Sequence, residues 1–162
     1  MKSVSFVSVT VYFAVMQWSE CTKLPQYASS QGGSPRLVNL GTVDSKSYFA
    51  DRTARNWTVA KTFCQSIGMD LATITTPAQI TFLKNAYNTT TFSGLHWIDA
   101  KDSFEQRQFT WVKSNTPVTS LSSLEFRTNL EYQTCASYYA TSTPAIWLYE
   151  CSLVSMFTLC ET

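Results

Sequence analysis

Residues Tyr48–Ala72, YFADRTARNWTVAKTFCQSIGMDLA, decide how this chain is read. The stretch has the pattern of a strand, an amphipathic helix carrying one cysteine, a glycine stop and a return to apolar β-type sequence. Trp57, Ala60, Cys64 and Ile67 recur at i, i+3, i+7 and i+10, one stripe of a 3.6-residue period. A cysteine in the middle of such a stripe points to a disulfide that bolts the helix to something distant. Downstream only Cys135, Cys151 and Cys160 can partner it, so the bolt must cross the domain.

Working outward, the helix is expected over about residues 58–67, with Gly68 at the left-handed position that ends it. A short strand, 47–51, precedes it, and an early strand is expected toward Leu40. A second helix follows the apolar run 71–74. Thr76 can cap it, Pro77 suits its first turn, and Gln79 three residues after the cap completes a capping box. Ile80, Leu83 and Ala86 or Tyr87 form its buried face. From His96 onward the sequence is strand and loop, with strands at 97–98, 109–112, 135–139, 146–149 and 156–160. Residues 117–129 lack periodicity and form a long loop, of the kind that is often functional. Helices early and antiparallel strands late make an α+β domain.

The chain of 162 residues suits one domain with a real core. A formal charge of +1 gives no electrostatic reason to propose nucleic acid or an anionic membrane as a partner. Residues 1–21 have the character of a signal peptide: Lys2 followed by the apolar run 4–16, too short to span a bilayer. Residues 22–39, with prolines, paired glycines and serines, form a loose leader, and the domain proper covers 40–162. The product is therefore expected to be secreted and extracellular, without membrane insertion. Cleavage after Cys21 leaves four cysteines. An earlier cut would leave Cys21 on the terminus and permit a disulfide-linked dimer.

Four cysteines allow three pairings, and spacing does not choose among them. No CxxC pair favours a metal, and an exported chain favours oxidation. Asn56-Trp57-Thr58 and Asn88-Thr89-Thr90 are intact glycosylation acceptors. Asn88 lies in an expected loop, whereas Asn56 precedes an expected core tryptophan. The sole histidine, His96, has no nucleophile or zinc-ligand companion. Asp99, Asp102 and Glu105 read as a polar turn between strands. Nothing resembles a Ser-His-Asp set or paired glycosidase acids, so no catalysis is expected.

Trp57-x-x-Ala60-x-x-x-Cys64, Gly68-x-x-Leu71-Ala72, Trp97-Ile98, Phe109-x-Trp111, Thr116-Pro117-Val118, Cys135, Cys151 and Cys160-Glu161 together resemble the C-type lectin-like domain. The resemblance covers about residues 40–162, in the style of small secreted invertebrate lectins. It implies two helices, short antiparallel strands, a long-loop region and two nested disulfides, Cys64–Cys160 and Cys135–Cys151. It also implies sugar binding through a calcium cage: a Glu-Pro-Asn loop, a later Glu, and an Asn-Asp pair.

This sequence departs from that cage. Counted from Cys135, the loop motif falls on Glu125-Phe126-Arg127 and the later Glu on Gln133. Counted from Cys151, the Asn-Asp pair falls on Trp147-Leu148. Calcium takes six to eight hard oxygen ligands, and Arg127 would place a fixed cation among them. The family's auxiliary site retains Asp102, but its partners become Gln106, Thr128 and Thr134. No calcium or other cofactor is therefore expected. The candidate ligand-binding residues are Glu125, Arg127, Gln133 and Trp147. Arg127 could pair with Glu125 or with a ligand carboxylate or sulfate. Trp147 could stack on a sugar ring, insert into a protein partner, or alternate inward as core. Two readings of function follow: a calcium-independent sugar-binding lectin, or a lectin-like scaffold binding a secreted or cell-surface protein.

Overall fold

Local capping chemistry sets both helices. The first, α1 (Trp57–Ser66), starts one residue earlier than the periodicity indicates, because the Asn56 side chain accepts the Val59 N–H at 2.9 Å and caps it. It ends in a Schellman motif. The Met69 N–H reaches the Cys64 carbonyl at 2.9 Å and the Gly68 N–H reaches that of Gln65 at 3.1 Å, with Gly68 at φ +76°. The second, α2 (Pro77–Tyr87), opens on the expected capping box: Thr76 Oγ1 accepts the Gln79 N–H at 3.2 Å, and Gln79 Oε1 accepts the Thr76 N–H at 3.3 Å. Gln79 Oε1 also takes the Thr75 N–H at 2.7 Å, which explains why a glutamine sits buried beside Leu83 and Tyr87.

The structure, a computed structural model, describes residues 37–87, 92–102, 108–118, 134–141 and 145–162. Among these, nine strands join in one sheet: β1 (Val38–Val43), β2 (Lys46–Arg55), β3 (Asp70–Leu71), β4 (His96–Asp102), β5 (Phe109–Trp111), β6 (Thr116–Pro117), β7 (Cys135–Tyr138), β8 (Ile146–Tyr149) and β9 (Met156–Glu161). The main path runs β1-β2-β9-β4-β5-β6, with β3 on β9 and the β7–β8 hairpin on β4. Pairing is antiparallel except between β4 and β9, where His96 faces Phe157 and Trp97 faces Thr158 in parallel. The C-terminal strand therefore sits between the beginning of the chain and its middle. That arrangement could not be read locally, because it depends on contacts between residues far apart in sequence.

Two apolar clusters form. Tyr48, Ile74, Leu83, Ile98, Trp111, Tyr138, Leu148 and Leu159 belong to the larger one, with α2 against it. Trp57, Ala60, Cys64, Leu71, Trp97, Met156 and Cys160 belong to the other, beneath α1. Neighbouring strand residues divide between them, as the period of two requires: Trp97 joins the α1 cluster and Ile98 the larger one. Both disulfides form with the pairing that the family resemblance implies, Cys64–Cys160 and Cys135–Cys151. The first ties α1 to β9 across 96 residues of sequence.

One sequence expectation is corrected. Asp99 and Asp102 do not lie in a polar turn but within β4, buried. Asp99 survives there because Lys61 Nζ lies 2.8 Å from one oxygen and the Lys113 N–H donates to the other at 2.6 Å. Burial nevertheless pushes the Asp99 carboxyl above the usual range, against the pull of those two donors.

Candidate functional site

The face that the sequence singled out is described in part. Glu125, Arg127, Gln133 and the acceptor Asn88 lie outside the described residues, as does Glu105. Trp147 is described, on β8. Alternation along the β7–β8 hairpin decides its role. Ile146 and Leu148 point into the larger core together with Ala136 and Tyr138, leaving Trp147 and Tyr149 on the opposite face, half-buried. Ring contacts then link a row of side chains. Tyr139 meets Trp147 edge-on at 6.0 Å, and Trp147 lies parallel to Tyr149 at 6.5 Å. The ends are anchored: Tyr149 meets Trp97 at 6.4 Å, and Tyr139 meets Tyr87 at 5.8 Å, both edge-on. Trp147 is thus positioned on a strand pair bridged by Cys135–Cys151, with ring partners on both sides.

The two positions expected for the family's Asn-Asp pair therefore diverge. Leu148 is 3% exposed and part of the core, while Trp147 is on the outer face. Neither can give a side-chain oxygen to a cation. Asp102 is buried, and its backbone N–H donates to the Thr134 carbonyl at 2.8 Å. Among the described residues, no three His, Cys, Asp or Glu side chains gather closely enough to hold a metal ion.

Beyond the hairpin, Glu150 organises the next turn. Its carboxylate accepts the Ser152 N–H at 2.9 Å, the Ser152 hydroxyl at 2.8 Å and the Leu153 N–H. The Leu153 and Ser152 donors hold its pKa below the usual carboxylate range. Leu153 projects from this turn 85% exposed.

His96 is not a reactive group. It is fully buried between Phe92 at 4.6 Å and Phe157 at 5.5 Å, with Nδ1 on the Gly94 carbonyl at 3.1 Å and Nε2 without a hydrogen-bond partner. Burial lowers its pKa to about 4, outweighing the Gly94 hydrogen bond. Asn56 is half-buried with its Oδ1 committed to the helix cap. Sequence reasoning missed Tyr149 and Tyr139 as companions of Trp147. The i, i+2 spacing of Trp147 and Tyr149 in a strand was the available signal, whereas the packing of Tyr139 and Tyr87 is tertiary.

The chain is similar to known proteins in the same sense. The model of the lectin C-type domain matches residues 53–162. C-type lectin domain family 2 member D6 of Rattus norvegicus is 29% identical over 119 residues, covering 74% of this chain and 46% of that protein, so the chain spans about half the length of this curated relative. Among solved structures, SPL-1 in complex with GlcNAc superposes with a TM-score of 0.60 at 21% identity, covering 75% of this chain and 90% of that one. A calcium-independent type II antifreeze protein superposes with a TM-score of 0.62 at 19% identity, covering 82% and 98%. With its matched domain model, paired disulfides and shared fold, the chain belongs to the C-type lectin domain family.

Proposed function

We propose that this protein is a secreted carbohydrate-recognition lectin that binds sugar without the family's usual calcium cage. The observation that carries this reading is the divergence of Trp147 and Leu148. Where the family resemblance expects two oxygen ligands, one side chain is core and the other is an aromatic ring on the outer face. An indole held among tyrosines offers the apolar face on which a pyranose ring stacks. Glu125, Arg127 and Gln133 are proposed to supply polar contacts beside it, Arg127 through paired hydrogen bonds to an acceptor. Residues 1–21 are proposed to direct export, and Asn56 and Asn88 to carry glycans.

The test is binding of the mature glycoprotein to a broad glycan panel, with calcium and again with chelator. Retention that survives chelation and is weakened in Trp147→Ala is the expected result. Binding abolished by chelator would overturn the reading.

A second reading has its own observation. Leu153, presented outward by the Glu150-locked turn beside Tyr149, is the kind of apolar anchor a protein partner uses. Silence on the glycan panel in both arms would shift the assignment to such a protein-binding scaffold.

A further inference from the structure

A separate cavity of about 400 Å³ opens where the start of β2, the segment after β3, the β5–β6 turn and the end of β9 meet. Its size lies within the range of small-molecule sites, roughly 300–1,000 Å³. At its base is Glu161, 2% exposed. The carboxylate accepts the Thr73 N–H at 2.9 Å and the Thr73 hydroxyl at 3.0 Å, and pairs with Lys46 at 3.1 Å and Lys113 at 3.6 Å. Lys113 also reaches Asp70 at 3.1 Å. Two ammonium groups thus face two carboxylates, and the local charge balances. An anion entering here would gain no net attraction.

The hydrogen-bonding groups left over are of mixed kind. Lys46 spends its donors on Glu161 and on the hydroxyl and carbonyl of Thr73. Lys113, whose side chain is 42% exposed, has two carboxylate partners for three donors. Trp111 lines the cavity, and among the described residues nothing accepts from its indole N–H. The Ser114 hydroxyl shares a hydrogen bond with that of Thr116 at 2.6 Å and keeps acceptor capacity. Ammonium, indole N–H and hydroxyl, set around an aromatic wall, suit a ligand whose groups both donate and accept.

We propose that this cavity is a second sugar site, one that takes a neutral monosaccharide unit without a metal ion. It uses none of the hairpin residues assigned above. Its ligands are hydroxyl groups, which accept from Lys113 and Trp111 and donate to Ser114.

The test is a titration of the 15N-labelled full chain with N-acetylglucosamine and mannose in chelator, alongside glucuronate and inorganic sulfate. The readout is the indole N–H resonance of Trp111, identified by its loss in Trp111→Phe. A neutral sugar should shift that resonance. Lys113→Gln should weaken the response about tenfold, the loss expected for one hydrogen bond to a charged group. Ser114→Phe, which fills the mouth while keeping the ion pairs, should abolish it with the rest of the spectrum unchanged. Trp147→Ala should leave it intact. A shift with the two anions alone, no shift with either sugar, or an undiminished response in Ser114→Phe would overturn the proposal. If Trp147→Ala also leaves panel binding intact, the hairpin reading fails while this one stands.

Discussion

Strands β4 and β8 are linked through β7, yet they carry different side chains and put them to different uses. Six of the seven residues of β4 are buried, including His96, Asp99 and Asp102. On β8 only alternate residues are buried, and Trp147 and Tyr149 are left half-open. Where both faces are covered, a polar residue must find a partner or lose its charge, so Asp99 is held by Lys61 and His96 is neutral. The second face of β8 is partly covered: Tyr149 packs against the α1 cluster and meets Trp97, and Trp147 sits between Tyr139 and Tyr149. Polarity on β4 is therefore a structural feature, and the apolar residues of β8 divide between the larger core and the opposite face.

The contrast can be broken by substitution, beginning with what supports β4 and β9 from the α1 side. Replacing Cys64 and Cys160 together with alanine should cost about 4 to 5 kcal/mol, the loop-closure figure for a link spanning 96 residues. Urea denaturation of the variant would measure it. A loss no larger than that from removing Cys135 and Cys151, which span 16, would contradict the entropic account. Next, Asp99→Ala should cost at least about 3 kcal/mol, since it leaves the Lys61 ammonium and the Lys113 N–H without their buried partner. Stability within 1 kcal/mol of the parent (about the spread of ordinary surface changes) would show that β4 does not depend on this pair.

His96 sharpens the comparison through pH. Its folded pKa, about 4, lies below the 6.5 of an unfolded imidazole, so the native state favours the neutral ring. The stability this confers is complete above pH 6.5 and is lost as pH falls toward about 4, because the unfolded chain takes up a proton that the native state refuses. The loss should approach about 3 kcal/mol, and His96→Gln should flatten that segment of the stability profile. The smallest structural effect belongs to β8. Trp147→Ala should cost about 1 to 2 kcal/mol for its lost ring contacts, while sugar retention on the glycan panel weakens. A fold-breaking Trp147→Ala would place that residue with β4 rather than opposite it.

The helices were legible because their signals are local. The stripe from Trp57 to Ile67, Gly68, and the Thr76-Pro77-Gln79 box each act within a few residues, and each is realised in the structure. Asn56 shows the boundary of such reading: its role as a cap is equally local, but the same residue also opens an Asn-Trp-Thr acceptor, so the residue type alone does not single out the cap. Leu148 and Trp147 could be counted onto the expected calcium positions from Cys151 alone, because few residues intervene.

The sequence by itself determined the α+β class, most of the strand segments though not β3 or β6, the disulfide-bearing helix and, through its family landmarks, the departure from the calcium ligands. Only the tertiary structure decided the parallel junction of β4 with β9, the burial of Asp99 and His96, and the meeting of Lys46, Thr73, Lys113 and Glu161. The reason is physical. Periodicity and caps depend on neighbours along the chain, whereas the burial of a charge and the choice of its partner depend on segments that folding brings together from up to 115 residues apart, as Lys46 and Glu161 are (161 − 46).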